Sequence, residues 1–83
     1  MRYKGALRIL IVEDEAQLAR QLAGALAEAG YAIDTAADGE QADLLARVEP
    51  YDAAILDLGL PKIDGLTLLR SWRESGMTLP VLI

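Results

Sequence analysis

The stretch RILIVED at residues 8–14 decides the fold, because an uninterrupted aliphatic run ends there in two acids. A continuous apolar run, in contrast to an alternating one, is typical of a strand covered on both faces in a parallel sheet. A helical pattern over residues 15–29 follows at once, with Leu18, Leu22 and Leu26 on one side, and it ends at Gly30. The stretch therefore predicts a strand–helix unit that carries acidic groups at the carboxyl end of its strand.

The same alternation continues along the sequence. Further strands are predicted over residues 31–36, 52–57 and 79–83, and further helices over residues 38–49 and 64–75. Short strands separated by helices of this length indicate right-handed βαβ units. We therefore expect an α/β fold with a doubly wound parallel sheet, in the order β-α-β-α-β-α-β. The second strand alternates larger residues with smaller or polar ones, which predicts a position at the sheet edge.

The two later helices begin at acidic residues, and each has a predicted apolar side. Asp38 and Asp64 are the predicted N-caps, and Gln41 completes a capping-box pattern. The predicted apolar sides are Leu44, Leu45 and Val48 in the second helix and Leu66, Leu69 and Trp72 in the third.

The composition restricts the chemistry of the chain. It has 83 residues, a net charge of −5 and no cysteine or histidine, which excludes disulfides, thiolate catalysis, Ser-His-Asp triads and the usual zinc sites. The acidic balance argues against nucleic-acid binding through this segment. No apolar run approaches the roughly 20 residues that cross a bilayer, and residues 1–7 lack the apolar core of a signal peptide. We therefore expect one small cytoplasmic domain without membrane contact.

Three acids are predicted to converge at one end of the sheet. Glu13 and Asp14 end the first strand, and Asp57 ends the third. Sites in open α/β sheets lie at the carboxyl ends of the strands, so neighbouring strands would bring these carboxylates together. Like charges that close repel one another unless a cation lies among them, and oxygen ligands suit Mg²⁺. Gly59 is the candidate for a further ligand, because the backbone freedom of glycine lets its carbonyl turn inward.

Each acid also has a purely structural interpretation. Asp14 or Glu15 is well placed to cap the helix that follows, and a cap is the better interpretation of either acid alone. Asp57 is harder to explain in this way, since a loop and not a helix follows it directly. A buried carboxylate without a partner is costly, so Glu13, Asp14 and Asp57 together favour a metal site.

Three motifs add a resemblance to this interpretation: IVEDE at residues 11–15, ADGEQA at residues 37–42 and LDLGLPKIDG at residues 56–65. Together they resemble the receiver domain of bacterial two-component response regulators. The resemblance extends from Arg8 to Ile83, and it is greatest to receivers attached to a winged-helix DNA-binding domain. It implies a flavodoxin-like fold, of which residues 1–83 form a partial receiver domain that is truncated after the fourth strand.

The resemblance also implies roles for individual residues. Asp57 matches the aspartate that accepts a phosphoryl group from a sensor histidine kinase and also ligates Mg²⁺. Asp14 matches a direct ligand of the ion, Glu13 an acid that reaches it through water, and Gly59 the residue whose backbone carbonyl binds it. Lys62 matches no catalytic residue and is expected to be solvated. The domain would be a signalling phosphoacceptor and not a turnover enzyme, and the full-length protein would control transcription through a C-terminal DNA-binding domain.

The chain departs from the family pattern after the fourth strand. The hydroxyl residue that follows this strand, the fifth strand with its lysine and the last helix have no counterpart in it. We therefore expect an exposed apolar edge at residues 79–83 that drives the formation of a homodimer or higher oligomer. A truncated fragment that cannot signal and only self-associates is the alternative function.

Two other activities fit the sequence less well. A metal-dependent phosphatase that forms an aspartyl phosphate generally needs a second aspartate two residues after the first, where this chain has Gly59. Dinucleotide binding needs a glycine-rich turn after the first strand, whereas the turn here is acidic and would repel a pyrophosphate.

Overall fold

The computed structural model describes residues 7–83, in which strands and helices alternate in the predicted order. The elements are β1 (Arg8–Val12), α1 (Ala16–Glu28), β2 (Ala32–Ala36), α2 (Gly39–Val48), β3 (Ala53–Leu56), α3 (Gly65–Glu74) and β4 (Val81–Leu82). The prediction that no signal peptide is present concerned residues 1–7, of which residues 1–6 lie outside the described residues. No helix within residues 7–83 is long and apolar enough to cross a membrane.

The strands form a parallel sheet in the order β2-β1-β3-β4, which confirms the doubly wound α/β fold. The helix α1 packs against β1 and β2, while α2 and α3 lie together against the other face. The order places β2 at an edge, as predicted, and it makes β1 and β3 neighbours. Val12 pairs with Leu56 in the register, so the chain leaves the sheet at adjacent points after these two residues.

The main core lies between the sheet and the helices α2 and α3. Trp72 is completely buried against the face that carries Leu10, and its indole N–H donates a 2.9 Å hydrogen bond to Asp43. This bond satisfies the single polar group of the indole. The predicted core positions of Trp72 and Leu69 are confirmed. The prediction was wrong for Leu66, which is 53% exposed, whereas Leu68 is buried.

The core-facing side of α2 differs in part from the predicted one. Leu44 and Val48 are each 62% exposed, whereas Ala42 and Ala46 are buried. The third predicted residue, Leu45, is partly buried and packs against the core, as predicted. The prediction was wrong for Leu44 and Val48, because small side chains are the ones that let a helix approach the sheet closely. The exposed leucine and valine lie on the outer surface of the helix.

A polar network joins the amino end of β1 to the middle of β2 and the end of α2. The guanidinium of Arg8 lies 2.9 Å from Asp34 and 3.0 Å from Glu49, and the hydroxyl of Tyr51 donates a 2.7 Å hydrogen bond to Asp34. Burial, together with the bond to Asp34, raises the pKa of Tyr51 to about 12. The network thus provides partners for a carboxylate in the centre of an edge strand.

Candidate metal and phosphoacceptor site

The three acids predicted to converge lie together at the carboxyl end of the sheet. One carboxylate oxygen each from Glu13, Asp14 and Asp57 lies within 4.8 Å of the other two. The pairing of β1 with β3 causes this convergence. The pairing continues beyond β3, because the amide of Asp57 donates a 3.0 Å hydrogen bond to the carbonyl of Val12. Glu13 and Asp57 are partly buried, whereas Asp14 is exposed.

The residues that the structure describes compensate little of the negative charge of this cluster. Glu13 accepts a 3.0 Å hydrogen bond from the amide of Glu15, and Asp57 accepts a 3.2 Å hydrogen bond from the amide of Gly59. No lysine or arginine within residues 7–83 forms an ion pair with the three acids. Carboxylates this close repel one another, and a bound cation would relieve that repulsion.

The donor atoms fit Mg²⁺. The ion binds oxygen atoms at about 2.0–2.1 Å in octahedral geometry, so two ligands of one ion lie about 3–4 Å apart. The three carboxylate oxygens lie within 4.8 Å of one another, which is close to this spacing. Hard oxygen donors without sulfur or imidazole select Mg²⁺, Ca²⁺ or Mn²⁺. Gly59 lies beside Asp57 through its amide, and the role of its carbonyl as a ligand stays a prediction.

The prediction of a helix cap is wrong for Asp14 and Glu15 before α1, and it is confirmed for Asp38 and Asp64. Glu15 occupies the N-cap position of α1, but its side chain makes no capping hydrogen bond, and Asp14 lies before the cap. Asp38 accepts a 2.8 Å bond from the amide of Gln41, and Asp64 accepts a 3.0 Å bond from the amide of Thr67. Asp14 is therefore available to the acidic cluster.

The start of α3 packs directly on the backbone of Asp57. The amide of Gly65 donates a 3.0 Å hydrogen bond to the carbonyl of Leu58. A Cβ atom on Gly65 would lie only 2.7 Å from both the carbonyl oxygen of Asp57 and the Cα atom of Leu58. Only glycine fits this position, and the contact fixes the point at which Asp57 enters the site.

Lys62 lies near the site and is exposed, as predicted, but it also makes contacts that the sequence did not indicate. Its ammonium lies 3.6 Å from Asp38 and 3.6 Å from Glu40, so it contacts the first turn of α2 and is not simply solvated. The left-handed backbone of this loop lies at Lys62, which has a φ of 71°. These contacts depend on how α2 lies beside the loop, for which the sequence carries no local signal.

Comparison with known proteins agrees with this geometry. The family model of the response regulator receiver domain matches residues 9–83. Over 77 residues, the chain is 46% identical to the virulence transcriptional regulatory protein PhoP of Salmonella typhimurium and 43% identical to the transcriptional regulatory protein PhoP of Escherichia coli. Each alignment covers 93% of this chain and 34% of the relative, so the chain spans about a third of the length of these curated relatives.

Solved structures show the same architecture. The receiver domain of a Francisella response regulator superposes with a TM-score of 0.89 at 28% identity, covering 90% of this chain and 62% of that one. TrrA from Thermotoga maritima, solved in complex with Mg²⁺-BeF, superposes with a TM-score of 0.85 at 37% identity, covering 90% and 65%. The fold is therefore the flavodoxin-like receiver fold, and the chain belongs to the response regulator receiver domain family.

Proposed function

We propose that this chain is the phosphoacceptor domain of a two-component response regulator, in which Asp57 accepts a phosphoryl group from a sensor histidine kinase. The observation that carries the proposal is the convergence of Asp57 with Glu13 and Asp14, within 4.8 Å, at the carboxyl end of the sheet of a receiver-family chain. No lysine or arginine within residues 7–83 pairs with any of these three acids, so an ion pair does not explain them. A phosphoryl-transfer site explains all three residues.

The geometry of Asp57 suits a nucleophile. The amide of Gly59 holds one carboxylate oxygen at 3.2 Å, which leaves the second oxygen for attack on phosphorus. The new P–O bond forms as the bond between phosphorus and the imidazole nitrogen of the donor histidine breaks, and the histidine leaves. The tight packing of Gly65 on the backbone of Asp57 keeps the carboxylate in position during the transfer.

The acidic cluster would hold Mg²⁺, with Asp14, Asp57 and the carbonyl of Gly59 as direct ligands and Glu13 acting through water. A bound ion supplies the charge neutralisation that lets an anionic phosphoryl group approach three carboxylates. The closeness of the three carboxylate oxygens, which lie within 4.8 Å of one another, supports this assignment. The structure of TrrA, which was solved in complex with Mg²⁺-BeF, supports it from a relative.

The wider role follows from the relatives, whose names describe transcriptional regulatory proteins. The domain would act as a cytoplasmic signalling switch, and not as a turnover enzyme, within a regulator that controls transcription. Contact with DNA would then be made by a DNA-binding domain in the remainder of the full-length protein. The net charge of −5 disfavours contact between this chain and the phosphates of DNA.

The proposal is tested by incubating the chain with acetyl phosphate and Mg²⁺ and measuring its intact mass. Attack by Asp57 releases acetate, so the wild-type chain is expected to gain one phosphoryl group and Asp57→Asn none. Asp52→Asn, at the opposite end of β3, is the matched control and is expected to react normally. Asp14→Asn should need a clearly higher Mg²⁺ concentration. An unreactive wild-type chain, or equal reaction of Asp57→Asn, would contradict the proposal.

Self-association is a second candidate function, and the exposure of β4 favours it. Leu82 is 67% exposed and Ile83 is 63% exposed, which agrees with the predicted apolar edge. Beside this edge lies a cleft of about 380 Å³ whose lining includes Ile11, Leu22 and Ile55. An exposed strand edge next to apolar surface favours pairing with a second copy of the chain. A fragment that only self-associates would fail the phosphorylation test.

A further inference from the structure

The loop between β3 and α3, residues 57–64, contains a strained turn close to the acidic site. Lys62 has a φ of 71°, and the amide of Ile63 donates a 2.9 Å hydrogen bond to the carbonyl of Pro61. Together these features define a γ-turn with a positive φ at its centre, which is the rare and strained form of this turn. A lysine tolerates such a backbone only where the surrounding structure holds it there.

The first turn of α2 supplies that support. The ammonium of Lys62 lies 3.6 Å from Asp38 and 3.6 Å from Glu40. The carbonyl of Pro61 accepts a second, 3.5 Å hydrogen bond from the amide of Gly39. A Cβ atom on Gly39 would lie 2.5 Å from the carbonyl oxygen of Ile63, so the helix start and the loop are in direct backbone contact. Residues 38–40 therefore hold the tip of the loop at three points.

Asp38 connects this contact to the helix itself. One of its carboxylate oxygens caps α2 by accepting the 2.8 Å bond from Gln41, while the other faces Lys62. The bond from the amide of Gln41, with a contribution from Lys62, lowers the pKa of Asp38, so the carboxylate is ionised at neutral pH. At its other end, the loop is bound to the acceptor by the bond from the amide of Gly59 to Asp57.

We propose that Lys62 is a positioning residue, which acts with the first turn of α2 (residues 38–40) to hold the strained loop in the shape that Mg²⁺ binding and phosphoryl transfer require. This inference rests on the proposed function. Lys62 touches neither the acidic cluster nor the reacting atoms, and it acts through the loop that carries Gly59. Release of its contacts lets the γ-turn relax and moves Gly59 away from Asp57.

The direction in which the loss of the Lys62 charge changes the Mg²⁺ affinity distinguishes a positioning role from a purely electrostatic one. Removing a positive charge near an acidic site would by itself strengthen the binding of a cation. A positioning role predicts the opposite, because a relaxed loop holds the metal ligands less well. Exposed ion pairs are individually weak, so we expect Lys62→Gln to weaken Mg²⁺ binding by about two- to fivefold.

The experiment is a titration of the full chain with Mg²⁺ alone, by calorimetry, together with the melting temperature in the absence of Mg²⁺. Lys62→Gln is expected to bind Mg²⁺ more weakly at an unchanged melting temperature, and Lys62→Arg is expected to restore the affinity. Arg73→Gln is the matched control, because it removes one positive charge at the far end of α3, where Arg73 bonds to the carbonyl of Met77. Its Mg²⁺ affinity should equal that of the wild-type chain.

A glycine pair tests the backbone contact independently. Gly39→Ala forces the start of α2 away from the loop and should weaken Mg²⁺ binding more than Lys62→Gln does. Gly24→Ala, in a helix position with no heavy atom within 4 Å of the added methyl group, should leave the affinity unchanged. Unchanged or tighter Mg²⁺ binding by Lys62→Gln would overturn the inference while the wild-type chain still accepts a phosphoryl group. Failure of the wild-type chain to bind Mg²⁺ would instead overturn the proposed function.

Discussion

Gly65 shows how a single residue without a functional group controls the site. Its missing side chain lets α3 begin in contact with the backbone of Asp57, with the carbonyl oxygen of Asp57 only 2.7 Å from the place of a Cβ atom. This packing contact therefore holds the backbone of Asp57, the predicted phosphoacceptor. Neighbouring Asp64 begins the helix at this same point by capping it.

Gly65→Ala is predicted to lower both stability and phosphoryl acceptance. The added methyl group has to displace the backbone of Asp57 or Leu58, and overpacking of this kind costs about 1–3 kcal/mol. Urea denaturation and the rate of reaction with acetyl phosphate measure the two effects. Gly24→Ala is the control and should be up to about 1 kcal/mol more stable than the wild-type chain, because it replaces an unhindered helical glycine. Equal stability of Gly65→Ala and the wild-type chain would contradict the packing argument.

Residues whose chemistry is local were predictable from the sequence, whereas residues whose role depends on a distant neighbour were not. Asp57 could be recognised as a candidate site residue because a carboxylate at the end of an apolar strand is unusual. Asp38 could be recognised as a helix cap because a cap bonds to a residue only three positions away. The contacts of Lys62 could not be predicted, because its partners Asp38 and Glu40 precede it by more than twenty residues. The ligand roles of Glu13, Asp14, Asp57 and Gly59 stay predictions until Mg²⁺ binding is measured.

At the scale of the elements, α2 and α3 begin where charged caps accept hydrogen bonds from free backbone amides. Asp64 accepts bonds from both the amide and the hydroxyl of Thr67, at 3.0 Å and 2.9 Å. The amide bond is the main cause that lowers the pKa of Asp64, and the hydroxyl bond adds to it. A carboxyl whose pKa is lower in the folded state stabilises the fold above its unfolded pKa and loses that contribution as the pH falls through its folded pKa.

The stabilisation from Asp64 is therefore predicted to depend on pH. Asp64→Ala should lower the melting temperature by several degrees at neutral pH, and the difference from the wild-type chain should narrow below about pH 4. Melting curves recorded between neutral and acidic pH check this expectation. Asp64→Asn keeps an oxygen acceptor without a charge, so it should remain closer to the wild-type chain at neutral pH. A gap between Asp64→Ala and the wild-type chain that stays constant down to acidic pH would contradict the role of the ionised cap.

The orientation of the helices was less predictable than their boundaries. Strand and helix limits follow from local signals such as Gly30, which ends α1 with a φ of 104°. The buried side of α2 does not, because Ala42 and Ala46 face the sheet while the larger Leu44 and Val48 point outward. The packing of a helix depends on how closely two backbones approach, and that distance is a property of the assembled fold.

At the scale of the whole molecule, the two edges of the sheet differ in character. The β2 edge carries Asp34 in its centre, a charge that is held by Arg8 and Tyr51 and that opposes pairing with another strand. The β4 edge ends in Leu82 and Ile83, which are both exposed and apolar. Association of this chain is therefore expected to involve β4 and not β2.

The self-association of the chain is predicted to depend on concentration and on Leu82. Light scattering should show a dimer or higher oligomer at high concentration, and Leu82→Lys should shift it toward the monomer. Leu44→Lys, which places the same charge on an equally exposed leucine of α2, should leave the association unchanged. A monomeric wild-type chain across the whole concentration range would contradict the predicted oligomer.

The most direct test of the central claim is to locate the phosphoryl group on the chain. After reaction with acetyl phosphate and Mg²⁺, borohydride reduces an aspartyl phosphate to homoserine, and peptide mass spectrometry then identifies the modified residue. Asp57 is the residue that the cluster with Glu13 and Asp14 designates, so homoserine is predicted at position 57 and only when Mg²⁺ is present. Reduction at any other carboxylate, or at none in a folded chain supplied with Mg²⁺, would contradict the assignment of Asp57 as the phosphoacceptor.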